Sequence, residues 1–473
     1  MIRQKAQGDQ PQGRSSQCSG MVADRVVVVL KRRSGRGAKG PALSSLDSSN
    51  NSQKEEEDMQ SQTKRKPFEI RFGRVVLAYK AVRANKGSHG VDEVSLEAYE
   101  VNLQGNLYRL WNRMSSGSYF PQPVRLLEIE KKGGGKRPLG IPSVEDRIAQ
   151  AVVKRELEIM LEPVFHEDSY GYRPNRSAED ALRKTMERCW RYNWVLDLDI
   201  KSFFEDIPHD LLMKAVRKHT GCKWHLLYIE RWLKAPVKQP DGTMVEKVKG
   251  TPQGSVISPL LANLFLHYCF DEWMKRNIPD MPFERYADDC IVHCRTEKQA
   301  YWVKQRLKER FKQCGLTLHT EKTKVVDCRK SKFSRQSTHQ EFDFLGYTFR
   351  KRVALNKEGE FFTSFLPAVS KRSIQSIRKN LKECGVFATT FGSLKDLAEE
   401  LNPKIRGWFQ YYGKFYPSQL KSKLRLINEM LMSWARRKFK RFKRSRWQAR
   451  KWLKSIYQKE PVLFEHWAQS VSP

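Results

Sequence analysis

Tyr286-Ala287-Asp288-Asp289 joins two short strand-like runs, Met281 to Tyr286 and Cys290 to Val292. Apolar residues on both sides of a polar pair spell a β-hairpin whose turn presents two carboxylates. Asp is an ordinary turn residue, so the tetrapeptide alone fits a plain polar turn equally well. Adjacent carboxylates also repel, and a chain keeps two of them at one tip mainly where a cation neutralises both, as in sites where metal ions clamp a phosphoryl group.

A second acidic strand extends the pattern. In Trp194-Val195-Leu196-Asp197-Leu198-Asp199-Ile200 the even positions are apolar, while Val195, Asp197 and Asp199 share the other face. Carboxylates in so apolar a run are costly to bury, and they either sit on the solvated face of an edge strand or complete a metal site with the hairpin acids. Alternation alone does not separate Asp197 from Asp199, since both point the same way. Between the two acidic strands, Gly250-Thr251-Pro252-Gln253-Gly254-Ser255 leads into an apolar stretch from Val256 to Trp273, with Pro259 suited to the first turn of a helix after Ser258. Earlier, Ser143 and Asp146 form a capping box for a helix from Val144 to Leu161, stopped by Pro163.

Further motifs stand in order around these strands. They are Lys131-Lys132-Gly133-Gly134-Gly135-Lys136-Arg137-Pro138-Leu139-Gly140-Ile141-Pro142, Ser169-Tyr170-Gly171-Tyr172-Arg173-Pro174, Gly315-Leu316-Thr317-Leu318 with Glu321-Lys322-Thr323, and Phe344-Leu345-Gly346-Tyr347. Together with the Asp199 strand, Pro252-Gln253-Gly254 and the Asp288 hairpin, the series resembles the reverse transcriptases encoded by group II introns, which also bear a maturase region. The resemblance runs from Lys80 to Trp467.

That resemblance implies Asp199, Asp288 and Asp289 as catalytic carboxylates and Mg2+ ligands, with Asp197 a weaker acid. Phe204, the aromatic five residues after Asp199, is implied as the ring that excludes a ribose 2'-hydroxyl and so favours deoxynucleotides. Lys136 and Arg137, beside the Gly133-Gly134-Gly135 turn, supply cations where a triphosphate gathers charge. Gln253 belongs to the same nucleotide site, and Lys322 resembles the lysine near the leaving pyrophosphate. The Gly-x-x-x-x-Gly-Lys-Ser/Thr spacing of a nucleotide P-loop is absent.

Charge supports a polyanionic partner independently. Lys plus Arg number 88 against 53 Asp plus Glu, a net charge of +35. From Arg436 to Lys454 there are eleven basic residues and no acidic one, interleaved with Phe439, Phe442, Trp447 and Trp452. On a helix such a run offers cations to phosphates and 2'-hydroxyls, with rings either stacking on unpaired bases or packed in the core. Leu401 to Tyr412 reads as a helix with Pro403 in its first turn and Ile405, Trp408, Phe409 and Tyr412 on one apolar stripe. This region resembles the thumb and maturase segment of the family. Arg406, Arg436, Arg437, Lys438, Lys440, Arg441, Lys443 and Arg444 are the side chains expected on RNA.

The fold class expected is α+β, a right-hand polymerase of fingers and palm (65–365) with a small antiparallel sheet, followed by an all-α thumb and maturase region (366–473). Residues 1–64, rich in Gly, Ser, Lys and Arg, read as a disordered tail, and Met59 offers an alternative start. Relatives with a DNA endonuclease carry a further Cys and His module, and no Cys-x-x-Cys pair stands here, which implies an endonuclease-lacking member. Nine widely spread cysteines suit reduced thiols in a bacterial cytoplasm, and no membrane span is expected. The partners implied are structured intron RNA, an RNA template with a DNA primer, target DNA and dNTPs. A splicing factor with a vestigial polymerase, or a related reverse transcriptase serving host defence or repair, is the alternative function.

Overall fold

The computed structural model describes residues 66–130, 136–329, 339–355, 358–388, 390 and 392–473. The expected tail over 1–64 and the Gly133-Gly134-Gly135 turn lie outside these residues. The chain opens with helices α1 (Phe72–Asn85), α2 (Leu96–Glu100) and α3 (Leu103–Ser116), then strands β1 (Val124–Glu130) and β2 (Lys136–Ile141) and helices α4 (Val144–Leu161) and α5 (Ala178–Cys189). Strands β3 (Trp194–Leu198) and β4 (Ile200–Lys201) lead to α6 (Phe203–Asp206), α7 (His209–His219), α8 (Lys223–Lys234), β5 (Val237–Lys238) and β6 (Met244–Val245). There follow α9 (Ser258–Leu266), α10 (Glu272–Asn277), β7 (Phe283–Tyr286), β8 (Asp289–Cys294), α11 (Glu297–Gln313), β9 (Thr317–Leu318) and β10 (Lys324–Asp327). The last part comprises β11 (Glu341–Phe344), β12 (Tyr347–Leu355), β13 (Phe361–Val369) and helices α12 (Lys371–Glu383), α13 (Leu394–Tyr412), α14 (Pro417–Lys438), α15 (Arg446–Lys459) and α16 (Glu465–Ala468).

A four-stranded antiparallel sheet in the order β10-β3-β8-β7 divides two hydrophobic cores. Period-2 alternation decides which core each residue enters. Trp194, Leu196, Leu198, Val292 and Val325 pack with the helices of the first half, whereas Val195, Ile291 and Val326 pack with Phe342, Tyr347, Phe349 and the carboxy-terminal helices. β3 is thus buried on both faces, which excludes the solvated edge strand its acids would also have fitted. A second sheet, β2-β1-β5-β6, mixes an antiparallel β1–β2 hairpin with a parallel β1–β5 pair, and β11-β12-β13 form a third. The architecture is α+β.

Caps set the helix starts. Ser177 with Asp180, Thr296 with Gln299 and Ser393 with Asp396 form reciprocal capping boxes. At α4 only half of the expected box forms: Ser143 Oγ accepts from Asp146 N, but the Asp146 carboxylate instead takes the Tyr119 hydroxyl and the Gln122 amide. Burial pushes that carboxyl up to about 6. α9 begins at Ser258 with Pro259 in its first turn, as expected.

Pro403 lies inside a helix rather than at its start. The Ser393 cap opens α13 at Leu394, so the proline, with no N–H to donate, falls mid-helix within a 19-residue element. The strand β13 runs through the expected change at 365–366, and the helical segment begins at Lys371. No helix among the described residues is long and apolar enough to cross a membrane.

Candidate functional site

Asp288 occupies a two-residue turn whose flanking pair is Tyr286 opposite Asp289. The other turn residue, Ala287, has φ 57°, a left-handed conformation that usually selects Gly. β8 then pairs with β3, with Leu198 opposite Cys290. Extending that register by one residue sets Asp199 level with Asp289, so the ends of two central strands carry the three acids. Asp199 lies just beyond β3, where His319 N donates to its carbonyl at 2.8 Å.

Asp197 and Asp199 differ in the way alternation could not resolve. Asp197 pairs opposite Ile291 within the sheet, and burial, with Asp289 and Asp199 nearby, holds its carboxyl well above the usual range. Asp199 Oδ2 is buried without a hydrogen bond, and Lys322 Nζ stands 3.2 Å from it. A buried carboxylate oxygen whose partner is a single lysine ammonium, next to further hard oxygen donors, fits a divalent ion. Among the described residues no group of three or more His, Cys, Asp or Glu side chains is placed to hold a metal ion by itself.

The hairpin is seated by groups that sequence reading left without a role. Arg285, fully buried, donates to both carboxylate oxygens of Asp271 at 2.7 and 2.6 Å, to Asn263 Oδ1 at 2.9 Å and to the Ala287 carbonyl at 3.2 Å. Asn263 Nδ2 in turn donates to the Gly171 carbonyl at 2.6 Å. A π-helical segment, His267–Asp271, follows α9 and carries the Asp271 carboxylate to this network. Along the outer edge of β7, Tyr170 N donates to the Arg285 carbonyl and Arg285 N to the Asp168 carbonyl. Gly171 is needed there, because a Cβ would come within 2.4 Å of the Ala287 backbone nitrogen. The signal in the sequence was the acid pair Asp271-Glu272 at the end of the apolar stretch from Val256 to Trp273.

Lys136, Arg137, Phe204 and Gln253 come from segments that meet. Gly140 N on β2 donates to the Gln253 carbonyl at 2.7 Å, and Thr251 N donates to the Phe204 carbonyl at 2.7 Å. Glycines permit the approach: a Cβ on Gly254 would lie 2.8 Å from the Gly140 carbonyl oxygen, and one on Gly250 2.5 Å from that of Glu205. Lys136 and Arg137 are neighbours on β2, so their side chains leave opposite faces of the strand. Lys136 Nζ pairs with Glu128 at 2.6 Å. Phe203 is buried, and half-buried Phe204 meets its ring edge-on at 5.2 Å.

Residues 129–349 match the family model described as reverse transcriptase (RNA-dependent DNA polymerase), and residues 374–453 match the group II intron, maturase-specific domain. The chain belongs to the group II intron reverse transcriptases. Over 198 residues it is 37% identical to protein YkfC of Escherichia coli, covering 40% of this chain and 51% of that protein. Over 341 residues it is 28% identical to the group II intron-encoded protein LtrA of Lactococcus lactis, covering 58% and 55%. An uncharacterized 91 kDa protein in the cob intron of Schizosaccharomyces pombe is 32% identical over 212 residues, with 44% and 26% covered. The chain therefore spans between about a quarter and just over half of the length of these relatives. The family implies a divalent metal.

In the maturase region of this reverse transcriptase the basic run is not one helical face. α14 ends at Lys438, a 3-10 turn covers Lys440–Phe442, and α15 starts at Arg446, so the cations ring a corner. Phe442 is buried, Phe439 and Trp452 pack against the core, and Trp447 is 68% exposed. Arg437 and Lys438 bond the Phe387 and Gly392 carbonyls, Arg441 lies 4.6 Å over the Phe442 ring, and Arg406 pairs with Glu465 at 3.1 Å. Arg436 donates to the Lys443 carbonyl at 3.2 Å.

A second buried chain of charge braces the hairpin from the side. His293 Nε2 meets Glu284 at 2.6 Å, Arg188 bridges Glu284 at 2.5 Å and Asp168 at 2.8 Å, and Thr185 donates to Glu284 at 3.2 Å. Although burial opposes its charge, Glu284 raises His293 to about 9. A base held above its unfolded value near 6.5 lends stability that is complete below that pH and lost as pH rises through about 9. Thermal melting should therefore show the wild type losing on the order of 3 kcal/mol between pH 6.5 and pH 9.5, and a flatter profile for His293→Gln.

Proposed function

We propose that this chain is an RNA-directed DNA polymerase that copies RNA into DNA with Mg2+ as its cofactor, and that its helical region binds structured intron RNA to assist splicing and mobility. The observation that carries this reading is the meeting of Asp199 and the Asp288–Asp289 hairpin at adjoining strand ends, with Asp199 Oδ2 buried and ion-paired to Lys322. Asp199, Asp288 and Asp289 are the groups that would hold the ions, which when bound supply positive charge to the attacking and leaving oxygens of nucleotidyl transfer. Lys322, 3.2 Å from Asp199, keeps those carboxylates from repelling one another and stands ready to meet a leaving anion. Lys136 neutralises the dNTP triphosphate from one face of β2, while Gln253 and the Phe204 ring border the sugar and base. Fingers and palm extend to residue 365, and thumb and maturase elements from 366 to 473.

The partners of that activity are an RNA template with a DNA primer, dNTPs, the intron RNA and a DNA target. The cysteines among the described residues are free, which suits the reducing cytoplasm of a bacterium. The test is extension of a DNA primer annealed to an RNA template, with dNTPs and Mg2+. We expect wild-type extension that chelation of the metal abolishes. A folded chain that binds the RNA yet extends no primer would overturn the polymerase and leave an RNA-binding splicing factor.

A further inference from the structure

At the basic corner, an open groove of about 970 Å3 runs beside α14. Its floor is apolar: Leu426 and Met430, one turn apart on the helix, with Phe387 across from them. Arg436, Arg437, Lys440 and Lys443 stand at its rim. Its one carboxylate, Glu429, is already paired with Arg446 outside. Arg436 keeps a buried Nε with no hydrogen-bond partner, a donor left over after its bond to the Lys443 carbonyl.

Four cations around an apolar slot match one chemistry closely. A phosphate alone has no use for the floor, and an apolar peptide has none for the rim. A nucleotide with its base unstacked needs both, and Met is a side chain that adapts to a flat partner. We propose that this groove takes a single unpaired nucleotide of RNA, its base on Leu426, Met430 and Phe387 and its phosphate between Arg436, Lys440 and Lys443. The proposal rests on the RNA-binding part of the function proposed above and goes beyond it in assigning the corner to unpaired rather than helical RNA. Double-stranded RNA, whose bases are already stacked, would reach only the rim.

The test measures binding of the full chain to a labelled oligouridylate of about 12 nucleotides and to a blunt RNA duplex of similar length over a range of salt. Leu426→Ser with Met430→Ser removes the floor without changing charge. It should weaken oligouridylate binding by about tenfold while leaving duplex binding and both salt slopes unchanged. Lys440→Gln with Lys443→Gln, changes at two exposed side chains, should weaken both ligands and reduce the single-strand salt slope by up to about 0.7. Equal loss on duplex and single strand in the floor variant, or no loss on either in a variant that melts like the wild type, would overturn the nucleotide slot. If the wild-type chain binds neither probe, the RNA reading itself fails and the slot falls with it.

Discussion

Asp288→Asn should bring primer extension down by on the order of a thousandfold or more, about 4 kcal/mol of barrier, while RNA binding stays within twofold of wild type. The substitution keeps size and polarity at a half-buried position of a two-residue turn, so the hairpin has no reason to refold. What it removes is one negative charge from a cluster whose function, as proposed, is to hold cations against a triphosphate. A carbonyl oxygen on Asn remains a ligand, but a neutral one, and hard divalent ions favour carboxylates. Measuring both variant and wild type at several Mg2+ concentrations separates two outcomes. Recovery at high Mg2+ points to weakened metal affinity, and a fixed deficit points to lost chemistry. Unchanged extension by the variant would remove Asp288 from the site.

The second large effect concerns Arg285 and Asp271. Both side chains are fully buried and bonded through two parallel contacts. Arg285→Met leaves Asp271 charged in the core with only its weaker neighbour His267 at 3.8 Å. Breaking one side of such a pair costs about 3–5 kcal/mol, a large share of a domain's total stability. Pairing Arg285→Met with Asp271→Leu removes both charges, and denaturant unfolding should then recover most of the loss. Activity should not recover with it. The Ala287 carbonyl has lost its Arg285 donor, so the turn that bears Asp288 is no longer fixed, and a chain of near wild-type stability should extend primers many times more slowly. A double variant with restored activity would show that the ion pair serves stability alone.

Much of this was legible in the residues. The alternation of Trp194 to Ile200 gave the strand and its faces, Ser143 and Pro163 bounded a helix, and the tetrapeptide at 286 gave the hairpin. What was not legible depends on contacts distant in sequence. Asp197 and Asp199 share a strand face, and what distinguishes them is that Asp197 is paired within the sheet opposite Ile291 while Asp199 lies just past the last paired residue, Leu198. Arg285 looks like a surface cation until Asp271, 14 residues earlier, turns through a π-helical segment to meet it. Pro403 reads as a helix start by local rules, and a cap ten residues upstream overrides them. The basic run was visible as charge but not as a corner, since Phe439 and Phe442 leave the helical pattern to enter the core.

The backbone of Asp168 to Tyr170 lies along β7 and bonds Arg285 on both its amide and its carbonyl. Besides seating the acids, that short stretch works as a bumper. An outer strand with free amides and carbonyls is a template on which another chain can add itself, and here the amide and carbonyl of Arg285, in the middle of β7, are already taken. The same few residues thus keep the catalytic turn in place and keep one copy of the protein from sticking to the next, so that damage to them would surface as insoluble protein before it could be measured as lost activity.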